Sequence, residues 1–169
     1  SPDTMDASVK ILLSEVKYET RFDSWTRSRV RNGEQRNADG KSYRAVEYGL
    51  QDEGTEDWLV RQVQDAVDML YGQLRWCLHD DSRMQSDEIL ENPTEWALHF
   101  RLPDTWGGSV RALKGHIHRF ISDYVTAQWY RATGDERGQQ NYAGSAEAHL
   151  ERAYQEARSD RVSLEPWRL

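Results

Sequence analysis

The chain has 169 residues, of which 37% are hydrophobic and 30% are charged, and its formal net charge is −7. This length suits one domain that buries about 70% of the surface its unfolded form exposes. The negative charge argues against general nucleic-acid binding, which needs clustered lysine and arginine to displace counterions. A single cysteine, Cys77, excludes an intramolecular disulfide and a cysteine-rich zinc site. No apolar run reaches the roughly 18 residues expected of a membrane-spanning helix.

The first third of the chain predicts a long helix followed by a polar loop. Residues 1–4 precede Met5, which resembles a natural start, so we expect them to be a remnant of cloning or processing, or a flexible terminus. Residues 5–30 space their apolar side chains at helical intervals. Residues 32–42 are polar and flanked by Asn-Gly and Asp-Gly pairs, as in a loop. Residues 43–50 fit a strand and a helix equally and stay unassigned.

Charge is distributed unevenly along the sequence. Basic residues outnumber acidic ones between Arg21 and Arg44, whereas residues 52–68 and 80–95 are strongly acidic. An ordinary solvated surface explains such a basic run more simply than a phosphate-binding strip. The run still supplies a candidate basic contact strip, which consists of Arg21, Arg27, Arg29, Arg31 and Arg36.

A central helix and a strand are predicted next. One continuous apolar stripe runs from Leu59 to Leu78 and predicts a core helix, with Thr55 as its N-cap. Cys77 lies on this stripe, so we expect a buried structural thiol. Residues 94–103 alternate apolar and polar side chains, which is the period of a half-buried strand.

The second half of the chain carries the clearest pattern. Apolar residues fall at steps of three and four on both sides of Gly134 and Asp135, which predicts two antiparallel helices joined by a tight turn. Ser109 or Thr105 would cap the first of these helices. Residues 106–109 then form a connector from strand to helix, because their glycines lack the spacing of a phosphate-binding loop.

These elements predict a mainly α fold, a bundle of about four helices with a short strand or hairpin at residues 94–103 and residues 43–50 as a candidate second strand. Residues 5–158 would form a single helical domain, and residues 159–169 a C-terminal tail. We expect one core to join three of the helices, built from Leu59, Val63, Val67, Leu70, Leu74, Ile117, Ile121, Tyr124, Trp129 and Leu150.

Two segments are candidates for contacts between subunits. The strand at residues 94–103 needs a partner, either residues 43–50 or the edge of a neighbouring subunit. The tail at residues 159–169 carries large apolar side chains that a free polar tail rarely has. The candidate subunit contacts are therefore Trp96, Leu98, Phe100, Leu102, Leu164, Trp167 and Leu169.

The sequence contains no recognisable catalytic or metal motif. His116 and His118 lie two positions apart on a predicted helix, about 200° around its axis, so their side chains diverge and cannot bind one ion. His79 and His149 are conceivable additions without support. Carboxylates one turn apart are common on any solvated helix and do not by themselves indicate catalysis. We therefore predict no catalytic residue, no cofactor and no metal.

The order of elements resembles the small helical head–tail connector, or neck-adaptor, proteins of tailed phages and prophages. The resemblance spans most of residues 5–165, and its most telling stretch runs from LHFRLP at residues 98–103 to WYRATGD at residues 129–135. It implies a non-enzymatic virion structural protein, made in the host cytoplasm and placed in the neck. It also implies a homo-oligomeric ring, typically dodecameric, between portal and tail proteins.

In such a ring the acidic surface would let DNA pass without sequence-specific binding, and no membrane contact is implied. No portal-binding residue can be assigned from the resemblance. The competing class is a small cytoplasmic helical binding or regulatory module that acts as a monomer or dimer. A helical-bundle hydrolase is disfavoured, because the Glu-x-x-His and His-x-x-x-His spacings of helical metal sites do not occur.

Overall fold

A computed structural model of the chain describes residues 3–20, 56–79 and 94–160. Within these ranges the protein is mainly helical, with four helices and a two-stranded antiparallel sheet, so the predicted fold class is confirmed. The elements are β1 (Thr4–Leu12), α1 (residues 13–20), α2 (Glu56–Leu74) with a terminal 3₁₀ turn (Arg75–Cys77), β2 (Glu95–Pro103), α3 (Val110–Ala132) and α4 (Glu136–Ala157).

β1 and β2 pair along their whole length, with Thr4 opposite Pro103 and Leu12 opposite Glu95. Their side chains alternate between a buried face and an exposed face, as strands with one covered face do. The buried face carries Val9 and Ile11 of β1 and every second residue of β2. Helices cover that face, and the opposite face carries polar side chains.

The prediction of a helix from residue 5 is wrong for β1. Val9 and Val16 fit a helical interval, but Val9, Ile11 and Leu13 also alternate, and all of these are buried. Pairing with β2 decides between the two patterns, because it fixes residues 4–12 in an extended conformation. The helix begins only at residue 13, and residues 21–30 of the predicted helix lie outside the described part.

The four apolar side chains of β2 were expected to contact another subunit, and the structure corrects this. Trp96, Leu98, Phe100 and Leu102 are all buried in the core of this chain, where they pack beneath the helices. The partner strand is β1 of the same chain. These side chains therefore stabilise the fold and are not available for an interface.

The helical hairpin of α3 and α4 is confirmed, together with its predicted turn. Ser109 caps α3, and its side chain accepts a hydrogen bond from the amide of Ala112. Gly134 takes a positive φ of 80°, a conformation that favours glycine, and so turns the chain between the helices. Asp135 then caps α4 by accepting a hydrogen bond from the amide of Gly138 at 2.9 Å.

The core lies between the sheet, α2 and the α3–α4 hairpin, and most of its predicted members are present. Seven of the ten expected residues are buried in the main cluster. Tyr124 and Leu150 lie half-buried at its margin, and Trp129 packs with Tyr130 in a separate small cluster. A salt bridge from Lys17 to Glu56 also links α1 to α2. No helix within the described ranges is long and apolar enough to cross a membrane.

Several predictions concern residues outside the described ranges. They include the loop at 32–42, the candidate strand at 43–50 and the proposed N-cap Thr55. The candidate basic strip of Arg21, Arg27, Arg29, Arg31 and Arg36 also lies there, as do the tail residues Leu164, Trp167 and Leu169.

Candidate functional site

An aromatic cavity opens where the end of α2, the end of β2 and the end of α4 meet. Its volume is about 150 Å³. We call its lining, together with the adjacent Tyr154, the Trp76 surface; the lining consists of Trp76, Pro103, Thr105, Trp106, Ala157, Arg158, Ser159 and Asp160.

Trp76 is the exposed part of this surface, and its position explains why. It lies in the 3₁₀ turn after α2, between the buried side chains of Leu74 and Cys77. Trp76 is off the apolar stripe, so its indole points away from the core and is 51% exposed. A half-exposed tryptophan leaves a large apolar area in contact with water, and tryptophan is enriched at protein interfaces.

Tyr154 and Arg158, at the C-terminal end of α4, flank Trp76 on one side of this surface. The rings of Trp76 and Tyr154 meet edge to face with centroids 6.4 Å apart. The guanidinium of Arg158 lies 5.4 Å from the centre of the Tyr154 ring and donates a hydrogen bond to its hydroxyl at 3.0 Å. Stacking of this kind restrains an arginine and leaves further donors for a ligand.

Trp106 forms the floor of the cavity and is fixed by backbone contacts. Its indole Nε1 donates to the carbonyl oxygen of Glu156 at 2.9 Å, and the amide of Gly107 donates to the carbonyl oxygen of Ser159 at 3.0 Å. A Cβ at Gly108 would lie 2.5 Å from the Trp106 ring and 2.8 Å from the Glu156 carbonyl oxygen. Glycine is therefore required there for the connector to approach α4.

The exposed face of the sheet carries a second polar group. His79 donates from Nε2 to the carboxylate of Asp6 at 2.9 Å and accepts at Nδ1 from Arg101 at 3.2 Å. Next to it, Ser8 Oγ and His99 Nδ1 share a hydrogen bond of 2.9 Å. A serine beside a histidine is one requirement of nucleophilic catalysis, but Asp6 contacts His79 rather than His99. The pairs are therefore separate contacts on an open sheet face.

The remaining histidines face different neighbours, as the sequence predicted for His116 and His118. His118 lies with Nε2 3.1 Å from the carbonyl oxygen of Lys10 and with Nδ1 3.3 Å from Glu15. His116 instead stacks on His149 of α4. No group of three or more potential metal ligands occurs in the described residues.

Cys77 is buried as predicted, beneath the Trp76 surface. Its Sγ lies 3.3 Å from the carbonyl oxygen of Leu74. Burial raises the pKa of the thiol to about 12, against a smaller lowering by the backbone hydrogen bond. The thiol is therefore protonated at neutral pH and packs as a small apolar group.

Trp76 was not singled out from the sequence. A signal was present, because Trp76 falls between two members of the stripe rather than on it. The pairing of Trp76 with Tyr154 could not be found in this way, because those residues meet only through the packing of α4 against the end of α2.

No protein-family model, curated protein or solved structure matches this chain.

Proposed function

We propose that this protein is a non-enzymatic structural subunit that binds other proteins through the Trp76 surface. The observation that carries the proposal is the half-exposed Trp76 beside Trp106, Tyr154 and Arg158. Tryptophan, tyrosine and arginine are the residues most enriched where interfaces gain their binding energy. A cavity of this small size accepts one side chain of a partner more readily than it encloses a substrate.

The specific form we propose is a head–tail connector subunit. The chain would form a ring between portal and tail proteins in the neck of a phage or prophage particle. Support comes from the resemblance in the stretch from residue 98 to residue 135, and the negative charge of the chain suits a lumen through which DNA passes without being held. The Trp76 surface would supply a contact to a neighbouring subunit or to the portal.

Mass tests this proposal directly. The intact chain, alone and with a phage portal protein, is examined by light scattering after size exclusion. We expect an assembly of many copies under at least one condition. A chain that stays monomeric under both conditions contradicts the connector function and favours the small cytoplasmic binding module.

A substitution tests whether the Trp76 surface makes the contact. Trp76→Ala should weaken assembly by about 30-fold or more, which corresponds to the roughly 2 kcal/mol of a residue that dominates an interface. Tyr18→Ala is the matched control, because Tyr18 is an exposed aromatic residue on α1 that does not line the cavity. Equal effects of the two variants would exclude the Trp76 surface as the contact.

A further inference from the structure

The outer edge of β1 is open over part of its length. The amide of Asp104 donates to the carbonyl oxygen of Asp3 at 3.0 Å, and the amide of Leu13 donates to that of Thr94 at 2.9 Å. Both bonds involve odd-numbered residues that flank this strand, and hydrogen-bonded pairs recur at every second residue of an antiparallel ladder. The odd-numbered residues of β1 therefore form the backbone hydrogen bonds to β2. The backbone groups of the even-numbered residues Asp6, Ser8 and Lys10 therefore point away from the sheet.

The two edges of the sheet are covered differently. On the β2 side, the amide of His79 donates to the carbonyl oxygen of His99 at 2.8 Å, and Leu78 bridges to Phe100. On the β1 side, the carbonyl oxygen of Lys10 lies 3.1 Å from the imidazole Nε2 of His118. Within the described ranges, the backbone amides of Asp6 and Ser8 have no hydrogen-bond acceptor. Open backbone groups of this kind are a template for another strand.

We propose that β1 pairs antiparallel with β1 of a second copy of this chain, around a two-fold axis at Ser8. Along the exposed face of β1 the side chains are acidic at Asp6, neutral at Ser8 and basic at Lys10. When two β1 strands pair antiparallel in this register, Asp6 of each copy lies opposite Lys10 of the other copy. The two Ser8 residues lie opposite each other. All three residues point their backbone groups off the edge, so this register follows the hydrogen-bonding alternation. The Lys10 carbonyl oxygen already accepts from His118, and it would accept a second hydrogen bond from the amide of Asp6 of the second copy.

The charges on the exposed sheet face favour this register. Asp6 lies opposite Arg101 in its own sheet, and Lys10 lies 3.7 Å from Glu95. Pairing of the two copies would therefore place Asp6 between Arg101 of its own sheet and Lys10 of the second copy, whose salt bridge to Glu95 runs diagonally across its own sheet. Opposite charges directly across a strand pair stabilise it, and like charges destabilise it.

Other arrangements fit less well. A two-fold axis at Asp6 would put the two Asp6 carboxylates opposite each other. Within one strand, Asp6 and Lys10 are about 13 Å apart, since a strand rises roughly 3.3 Å per residue, so they cannot neutralise one another. The proposed register also places Met5, which is 37% exposed, opposite Ile11 of the second copy.

This inference goes beyond the proposed function and does not depend on it. A two-fold contact closes after two copies, so β1 pairing alone yields a dimer and no ring. The Trp76 surface is formed by the C-terminal ends of α2, β2 and α4 and includes no residue of β1.

Charge-reversal variants of the full chain test the register. Asp6→Lys alone places Lys opposite Lys10, and Lys10→Glu alone places Glu opposite Asp6, so each variant should be monomeric at concentrations where the wild type is dimeric. A mixture of the two variants restores opposite charges at both positions. We expect sedimentation equilibrium to find a heterodimer in the mixture and monomers in the separate samples. If both variants dimerise as the wild type does, or if their mixture stays monomeric, the inference is wrong.

A proline pair tests the hydrogen bonds. Ser8→Pro removes an amide that points off the open edge, and we expect the dimer to weaken by about 100-fold. Ala97→Pro is the matched control, because its amide points off the opposite edge, on β2, and the dimer should be unchanged. Equal effects of the two substitutions overturn the inference, and thermal unfolding confirms that both variants fold.

Trp76→Ala separates this inference from the proposed function. If β1 pairing is right, the Trp76 variant still forms the dimer, even where it no longer forms a larger assembly. A dimer that is lost with Trp76→Ala but survives Ser8→Pro contradicts β1 pairing and leaves the proposed function standing. A wild-type chain that is monomeric at every concentration contradicts β1 pairing as well.

Discussion

The imidazole rings of His116 on α3 and His149 on α4 stack with their centroids 5.9 Å apart and their planes tilted by 31°. The Nδ1 atoms of both rings are buried, and neither has a hydrogen-bond partner in the part of the chain that the structure describes. Asp123 lies nearby, 3.9 Å from His149 Nε2, and also accepts a hydrogen bond from Ser145 at 2.6 Å. The α3–α4 hairpin therefore contains a partly buried imidazole, that of His149, whose protonation would place a positive charge between the two helices.

We predict that acid destabilises the fold through His149. Burial lowers the pKa of His149 below 6.5; Asp123 opposes this, and Arg152, Arg119 and His116 reinforce it. The unfolded chain therefore takes up the proton at a higher pH than the folded chain does. Stability should fall as the pH drops through about 6.5 towards the lower pKa of the folded state.

Urea unfolding of the wild type and of His149→Gln between about pH 7 and pH 5 measures this effect. The variant should lose less stability over that interval than the wild type. Met69→Gln, at an exposed position of α2 that does not titrate, is the control and should lose as much as the wild type. An unchanged pH dependence in His149→Gln would show that this histidine does not couple folding to pH.

Leu70 tests the position of the central helix. Leu70 of α2 is fully buried, whereas its neighbour Met69 is 45% exposed. Leu70→Ala should cost about 2–5 kcal/mol of unfolding free energy, because it removes buried methyl groups and leaves a cavity. Met69→Ala should change it by less than about 0.5 kcal/mol. A loss for Leu70→Ala as small as that for Met69→Ala would show that the apolar face is assigned wrongly.

Gly108 and Gly115 form a matched pair for the connector. Gly108→Ala forces a Cβ against the Trp106 ring and should cost about 1–3 kcal/mol. Gly115 lies inside α3, and a Cβ there would meet nothing within 4 Å beyond the backbone of its own helix, so Gly115→Ala should stabilise by up to about 1 kcal/mol. Chemical unfolding compares the two. If both substitutions changed the unfolding free energy in the same direction, the connector at Gly108 would not lie in close contact with Trp106 and α4.

Cys77 should be unreactive in the folded protein. A thiol with a pKa of about 12 instead of 9.0 holds roughly 1000-fold less thiolate at neutral pH, and burial also restricts access. A thiol-specific reagent should therefore label the folded chain slowly and the urea-unfolded chain rapidly. Labelling of the folded chain at the unfolded rate would place Cys77 at the surface.

The sequence predicted the helices of the second half well because their signals are local. The Asp135 cap and the Gly134 turn act within a few residues, and the apolar intervals on each side are long. The N-terminal strand was missed because Val9, Leu13 and Val16 satisfy one period while Val9, Ile11 and Leu13 satisfy the other. Only the distant β2 resolves that ambiguity.

The candidate site was harder to predict, for a related reason. Trp76 and Tyr154 lie far apart in the sequence, and they meet because α4 packs back towards the end of α2. The stacking of His116 on His149 likewise depends on the relative register of two helices. Periodicity describes one helix at a time and cannot supply that register.

The pairing of β1 with β2 has a consequence for synthesis of the chain. Ser8 and His99 are 91 residues apart in sequence although they touch in the sheet. At about 5–20 residues per second, a ribosome needs roughly 5 to 20 s after making β1 before β2 exists. During that interval both edges of β1 are bare and Val9 and Ile11 are uncovered. On crowded polysomes, nascent chains are therefore at risk of pairing with each other before they fold.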